Sequence, residues 1–343
     1  VSERATLAQR FAAQALSGPA LPDPGAVAER LLAVQGQDPR GARLSVRART
    51  SGLTVADVDQ ALTKDRTLLI TWLNRGTLHL VRSEDYPWLH ALTTPPLVKP
   101  NARRLAQEGV TLSAADRGVL TIERSLTEEG PLTRVQLRER LDSAGVRTEG
   151  QALVHVLMLA TLQGIAVRGP MVGKEHAYVL VRDWLGEAVP VDRDAALAEL
   201  ARRYLVGHAP AGDRDLARWA GLPLRDVRAG LKAIGSELEE CEGGLVRLAA
   251  RSPAGELPSP RLLGPFDPVL LGWLSREPIV GPYKSLVTDH GIFRPFALVD
   301  GRAVGLWKWA KNEVSLEPLE RLAPDVEEAL EDEAADVARF LEA

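Results

Sequence analysis

Gln35-Gly36-Gln37-Asp38-Pro39 follows an apolar stretch (Val27, Leu31, Leu32, Val34) and sets two side-chain amides at positions i and i+2. In extended backbone such residues project to one side, whereas in a helix they stand about 200° apart. A glutamine amide offers one acceptor oxygen and two donor hydrogens but has no titrating proton. A pair can therefore hold and orient water without serving as a base. Asp38 is the nearest carboxylate, although Asp-Pro is equally a helix-stop and turn element. By itself the segment reads first as a polar loop leaving a helix.

Other chemistry is poorly represented. The sequence has no glycine-rich phosphate loop, no His-Glu-x-x-His, no Cys-x-x-Cys and no Gly-x-Ser-x-Gly. The six histidines (His79, His90, His155, His176, His208 and His290) show no metal-ligand spacing, so neither a metal nor another cofactor is expected. The single cysteine, Cys241, excludes an internal disulfide and a thiolate cluster and fits a reducing cytoplasm. No run of eighteen apolar residues occurs and the first residues lack an apolar signal core, so no membrane partner is expected.

The net charge of −4 argues at first against nucleic acid, but it is unevenly spread. Residues 317–343 carry ten acids against Arg321 and Arg339, leaving residues 1–316 with an excess of four positive charges. A solvated helix face is the simplest expectation for that acidic segment. Arg40, Arg43 and Arg47 fall at i, i+3 and i+7, one helical face beside the glutamines. They are the best phosphate-contact candidates, with a plain solvated face as the alternative.

At 343 residues, two to four compact units are expected. A helix over 3–16 precedes one opened by Asp23 and Pro24; helical patterns follow at 40–50 and 55–64. Leu68–Leu73 and Thr77–Val81 then flank an Asn74-Arg75-Gly76 turn, a β-hairpin signature. Helices followed by a hairpin is the winged-helix order. It recurs loosely, with helices at 131–141 and 152–163 before β runs at 164–167 and 176–181. It recurs again with helices at 197–204, 213–220 and 227–234 before a β run at 240–248. From Leu263 the pattern turns to strands, at 286–288, 293–299 and 302–309, and ends in an acidic helix. The expected fold class is α+β. Three tandem winged helices (1–90, 91–185 and 186–255) would be followed by an antiparallel β domain with the acidic helix at 256–343.

Four blocks carry a resemblance: Gln35-Gly36-Gln37-Asp38-Pro39, Arg75-Gly76-Thr77-Leu78-His79-Leu80-Val81, Gly264-Pro265-Phe266-Asp267-Pro268-Val269-Leu270-Leu271-Gly272-Trp273 and Val299-Asp300-Gly301-Arg302-Ala303-Val304-Gly305-Leu306-Trp307. In this order they resemble the bacterial HTH_42 winged-helix superfamily, which includes the AlkZ and YcaQ DNA glycosylases, over nearly the whole chain. The Gln-x-Gln element points to the AlkZ branch, since the YcaQ branch has Asp at the second position. The resemblance implies three winged helices scaffolded by the C-terminal β domain in a C shape around a concave DNA channel. It also implies Gln35 and Gln37 as the catalytic pair. Gly36 departs from the aliphatic or alanine-like residue usual between them. A C-terminal hairpin that inserts near the lesion matches roughly Asp289–Pro295, with His290 and Arg294 as its DNA-contacting candidates.

Such an enzyme would cleave N-glycosidic bonds of alkylated purines in double-stranded DNA. A purine alkylated at N7 is already cationic and leaves as a neutral base, so little acid catalysis is needed. The protein must instead place a water below C1′ and stabilise the sugar cation, which amide oxygens can do. Enclosing a flipped base calls for stacking aromatics, and at 5% aromatic content the chain is expected to leave the base in the duplex and tolerate bulky adducts. The resemblance to AlkZ implies interstrand crosslinks among them. Arg75 in the hairpin turn is a further phosphate or minor-groove candidate. His79 is expected to be structural, and Trp273, Trp307 and Trp309 to pack the β domain. The expected state is a monomer. A non-catalytic winged-helix regulator or damage-binding protein is the rival reading, and an interaction scaffold a third.

Overall fold

A computed structural model describes residues 2–187, 190–251, 255–288 and 290–342. The chain gathers into two compact units, Val1–Val58 with Leu197–Ala343, and Asp59–Ala196. The first unit is thus discontinuous in sequence, and the second is an insertion into its chain.

Helix α1 (Glu3–Ala13) is capped by Ser2, and α2 (Pro24–Leu31) by Asp23, whose carboxylate accepts from the Ala26 N–H at 2.8 Å. The α2 pattern stops earlier than its apolar residues suggest, because Leu32 takes φ 64°. That turn throws the chain into a short extended strand, β1 (Val34–Gln35). Pro39 then opens α3 (Pro39–Arg47), where its missing N–H costs nothing. Helix α4 (Val55–Thr63) leads out of this unit.

The inserted unit is built on strands β2 (Leu68–Leu73) and β3 (Thr77–Arg82), joined by the Asn74–Gly76 turn, paired antiparallel from Leu68↔Arg82 to Leu73↔Thr77. Helices α5 (Tyr86–Thr93), α6 (Pro95–Gln107), α7 (Leu112–Glu129), α8 (Arg134–Ser143) and α9 (Ala152–Leu162) follow. Thr133 and Gln136 cap α8 reciprocally. Strands β4 (Ala166–Val172) and β5 (Glu175–Leu180) close the sheet in the order β3-β2-β4-β5. Helix α9 is apolar nearly all round and largely buried, as a central helix must be. A short α10 (Val181–Leu185) follows.

The chain re-enters the first unit through α11 (Arg193–His208), followed by α12 (Asp213–Ala220), α13 (Leu224–Ala233) and the hairpin β6 (Leu238–Cys241) with β7 (Leu245–Leu248). The C-terminal portion is an antiparallel sheet of order β11-β10-β9-β8, formed by β8 (Arg261–Leu263), β9 (Phe296–Val299), β10 (Arg302–Ala310) and β11 (Glu313–Pro318). Short α14 (Glu277–Val280) lies between β8 and β9 in sequence, and α15 (Pro324–Glu342) ends the chain. The strand expected at 286–288 is instead a tight 3-10 turn over Lys284–Leu286 followed by one bridge, Val287 to Phe293.

Sheet and helices of this unit are locked around a fully buried ion pair. Arg49 donates through both guanidinium Nη atoms to Asp267 at 2.9 Å, through Nε to the Gln14 carbonyl at 2.8 Å, and through Nη2 to Gln14 Oε1 at 3.0 Å. Such a pair is tolerated only because further hydrogen bonds satisfy what is left, and Asp267 Oδ1 indeed accepts from the Val269 N–H as well. Two glycines make the close approach possible. A Cβ on Gly41 of α3 would lie 2.3 Å from the Pro265 carbonyl oxygen, and one on Gly264 would lie 2.7 Å from Leu44 Cβ.

Candidate active site

Gln35 closes strand β1, and Gln37 stands immediately before the Asp38-Pro39 start of α3. Asp38 Oδ1 accepts from the Gly41 N–H at 2.7 Å, so this carboxylate serves as the N-cap of α3. Gln35 is buried and Gln37 exposed, yet their side chains meet: Gln35 Nε2 donates to Gln37 Oε1 at 2.7 Å. That bond leaves Gln35 Oε1 buried without a partner among the described residues. An unpaired buried acceptor costs on the order of 1–3 kcal/mol and calls for an explanation. The pair thus leaves a buried acceptor on Gln35 and an amide donor on Gln37 outside their mutual bond.

The three arginines of α3 share a face by spacing but not a fate. Arg40 is exposed, with no polar partner among the described residues. Arg43 is buried and donates to the Pro39 carbonyl at 2.9 Å. Arg47 is turned fully inward: Nη2 donates to Glu333 and to the Leu262 carbonyl, and Nη1 to Asp336. Its charge is consumed by α15, so the acidic segment is not simply a solvated face. Glu333 also takes the Leu262 N–H and an Arg261 Nη1 donor. In Asp336, burial that would raise the carboxyl is outweighed by Arg339 and Arg47, and its pKa lies below the usual carboxylate value.

Arg294 is exposed beyond the Val287–Phe293 bridge, and His290 is exposed in the turn before it. Thr288 N–H donates to the Ile292 carbonyl and Gly291 N–H to the Thr288 carbonyl, which tightens that turn. Asp289, at the start of the expected hairpin, lies outside the described residues. Arg40, Arg294 and Asp38 come together around one cleft of about 230 Å³, with Phe266, Phe293 and Trp309 among its walls. His290 does not line it.

Arg75 occupies the hairpin turn of the inserted unit, half-buried and engaged in interactions. His79 on β3 is buried; burial first and the nearby Arg75 second push its pKa down to about 3, against an opposing bond to the Thr77 carbonyl. A histidine held neutral in this way packs rather than titrates. Among the described residues, no group of three His, Cys, Asp or Glu side chains is placed to hold a metal ion, and no helix is long and apolar enough to cross a membrane.

The sequence reading assigned no role to Arg49 or Asp267, which fix the helix behind the glutamines. Asp267 lay in a block carrying the resemblance, but its partner is 218 residues away in the chain. Phe266, Ile292 and Phe293 were likewise missed as members of the cleft.

A hydrogen-bonded amide pair on a mixed scaffold of helices and antiparallel sheets stands beside a cleft with a cationic rim, an arrangement suited to a polyanion. Comparison with known proteins gives the class. The family model for DNA glycosylase AlkZ-like proteins matches residues 28–340. An interstrand DNA cross-link repair glycosylase of Streptomyces sahachiroi is 31% identical, over 98% of this chain and 96% of that protein. The solved structure of the Streptomyces sahachiroi DNA glycosylase AlkZ superposes with a TM-score of 0.80 at 29% identity, over 99% of this chain and 96% of that one. The chain belongs to the AlkZ-like DNA glycosylase family.

Proposed function

We propose that this enzyme hydrolyses the N-glycosidic bond of cationic alkylpurines, 7-alkylguanine foremost, in duplex DNA. The observation that carries this is the Gln35–Gln37 hydrogen bond with Gln35 Oε1 left buried and unpartnered. A water donating to Gln35 Oε1 and accepting from Gln37 Nε2 keeps one lone pair for C1′. As that lone pair forms the C1′–O bond, the C1′–N9 bond breaks and its electrons neutralise the positive charge of the alkylated ring. The base departs neutral, and the water's surplus proton passes to solvent late, because an amide cannot accept it. The partial negative charge of the amide oxygens stabilises the sugar cation meanwhile. The product is an abasic site with the strand intact, the outcome of a monofunctional glycosylase.

The relative's activity on interstrand crosslinks supports extending the substrate to bulky adducts and crosslinks. In this reading the helix pairs and hairpins form three winged helices, at 1–90, 91–185 and 186–255, that with the β domain enclose a DNA channel in a C-shaped monomer. Phosphates are held by Arg40, Arg75, Arg294 and His290, whereas Arg43 and Arg47 support α3.

The test is a duplex carrying one 7-methylguanine, treated with enzyme and then alkali. Strand scission is expected, and it should fall by about 10²-fold or more in a Gln35→Ala, Gln37→Ala double variant. Tight, salt-dependent DNA binding with no abasic sites on 7-methylguanine or on a bulkier 7-alkyl adduct would instead establish a non-catalytic damage-binding protein.

A further inference from the structure

The chain is poor in aromatic residues, yet two of its five phenylalanines and two of its seven tryptophans line the cleft beside Asp38. Trp307 and Trp309 reach it from one face of β10, two residues apart. Phe293 and Phe266 pack with ring centroids 5.4 Å apart, tilted by 46°. Phe266 holds φ 59°, a conformation unfavourable for a bulky side chain and kept here where its ring lines the cleft. Ile292, 53% exposed, adds an apolar tip.

The rim is cationic. Arg40 and Arg294 are exposed, and neither guanidinium has a polar partner among the described residues. The one acid lining the cleft, Asp38, already caps α3 through Oδ1. A volume of about 230 Å³ falls below the roughly 300–1,000 Å³ of sites for drug-sized ligands, which suits a single flat ring system. Aromatic walls under a cationic rim are how single-stranded nucleic acid is held, base on ring and backbone on cation.

We infer that this cleft receives the nucleobase opposite the lesion, displaced from the duplex, its ring against Phe266 and Trp309 and its flanking phosphates on Arg40 and Arg294. The inference rests on the glycosylase reading for the identity of the DNA; the cleft itself is independent of the glutamine pair. It also qualifies the argument from composition: an average over 343 residues hides a local concentration of aromatics.

Photocrosslinking tests it. A duplex with a tetrahydrofuran abasic analogue at the lesion position and 5-iodouracil opposite it is saturated with enzyme and irradiated, and the attached peptide is identified by mass spectrometry. Attachment at Phe266, Phe293 or Trp309 is expected, with the yield at saturation about tenfold lower in Arg294→Glu and in Trp309→Leu. Arg294 is exposed, so its charge reversal leaves the fold intact and keeps the test decisive if the tryptophan variant misfolds. Attachment only outside the cleft, or a yield indifferent to Arg294, would overturn the proposal. The same preparations are assayed for scission at 7-methylguanine. Scission without cleft attachment removes this inference and spares the glycosylase reading; cleft attachment without scission does the reverse.

Discussion

The two ends of α3 are treated in opposite ways. At its C-terminal end and just beyond, Arg47 and Arg49 are buried and bonded to Glu333, Asp336, Asp267, Gln14 and backbone carbonyls, Arg47 Nε alone being left over. At its N-terminal end, Gln35 Oε1 and the Arg40 guanidinium are left without partners among the described residues. Polar groups at both ends come from the same few residue types, so the difference lies in where their partners come from. A helix anchored at one end can hold unsatisfied groups at the other without collapsing onto them, which is the preorganisation that positioning a water demands.

Breaking the closed end should have the largest effect. Asp267→Ala leaves Arg49 charged and buried, and urea denaturation should show a loss of about 3–5 kcal/mol. Replacing both partners, Arg49→Met with Asp267→Leu, should recover most of that loss. The open end should respond in the opposite sense: the Gln35→Ala, Gln37→Ala variant, expected to lose activity, should retain stability to within about 1 kcal/mol, because the truncation removes an unpaired acceptor. A stability loss comparable to that of Asp267→Ala would show that the two ends do not differ as described.

The closed end also predicts a pH dependence. His208 stacks on Tyr204 at 4.5 Å, and burial, with smaller contributions from Arg49 and Arg10, lowers its pKa from 6.5 to about 3 against a bond to the Tyr204 carbonyl. The native state therefore refuses a proton that the unfolded chain accepts below about pH 6.5. Stability from this residue is complete above that pH and declines as pH falls toward 3, by up to about 1.4 kcal/mol per pH unit. His208→Gln should flatten that part of the profile of denaturation midpoint against pH; an unchanged slope would assign it to other groups.

The smallest effect compares two arginines of one helical face. Arg40→Ala should weaken DNA binding and reduce the slope of log K against log salt by about 0.9, with unfolding unchanged. Arg47→Ala should do the reverse, lowering stability while leaving the salt slope as it was. Equal salt slopes for the two variants would mean that Arg40 touches no phosphate.

Local signals in the sequence were read well and long-range ones were not. Asp23-Pro24 and the Asn74-Arg75-Gly76 turn mark element boundaries through their own backbone preferences, and they stand where expected. Spacing put Arg40, Arg43 and Arg47 on one face, but periodicity carries no information about what that face meets. The answer, α15, lies 286 to 289 residues away. Helices α6 and α7 went unmarked; α6 opens with Pro95 and Pro96 and contains Pro100, residues that punctuate more often than they propagate. The glutamine pair was legible as a motif, whereas the single hydrogen bond that joins its side chains was not. The cleft was invisible for a related reason: its aromatic walls come from three separate stretches, and composition averages them away.

The discontinuity of the first unit has a consequence for synthesis. Arg47 emerges from the ribosome early, but the acids that seat it come 286 to 289 residues later, a lag of roughly 15–60 s at about 5–20 residues per second. Meanwhile the inserted unit, contiguous in sequence, is complete and free to fold. The helix behind the glutamines is braced only once α15 has been made, so a translation product interrupted before it carries the glutamine pair without this support. Such truncated copies are expected to be inert as glycosylases.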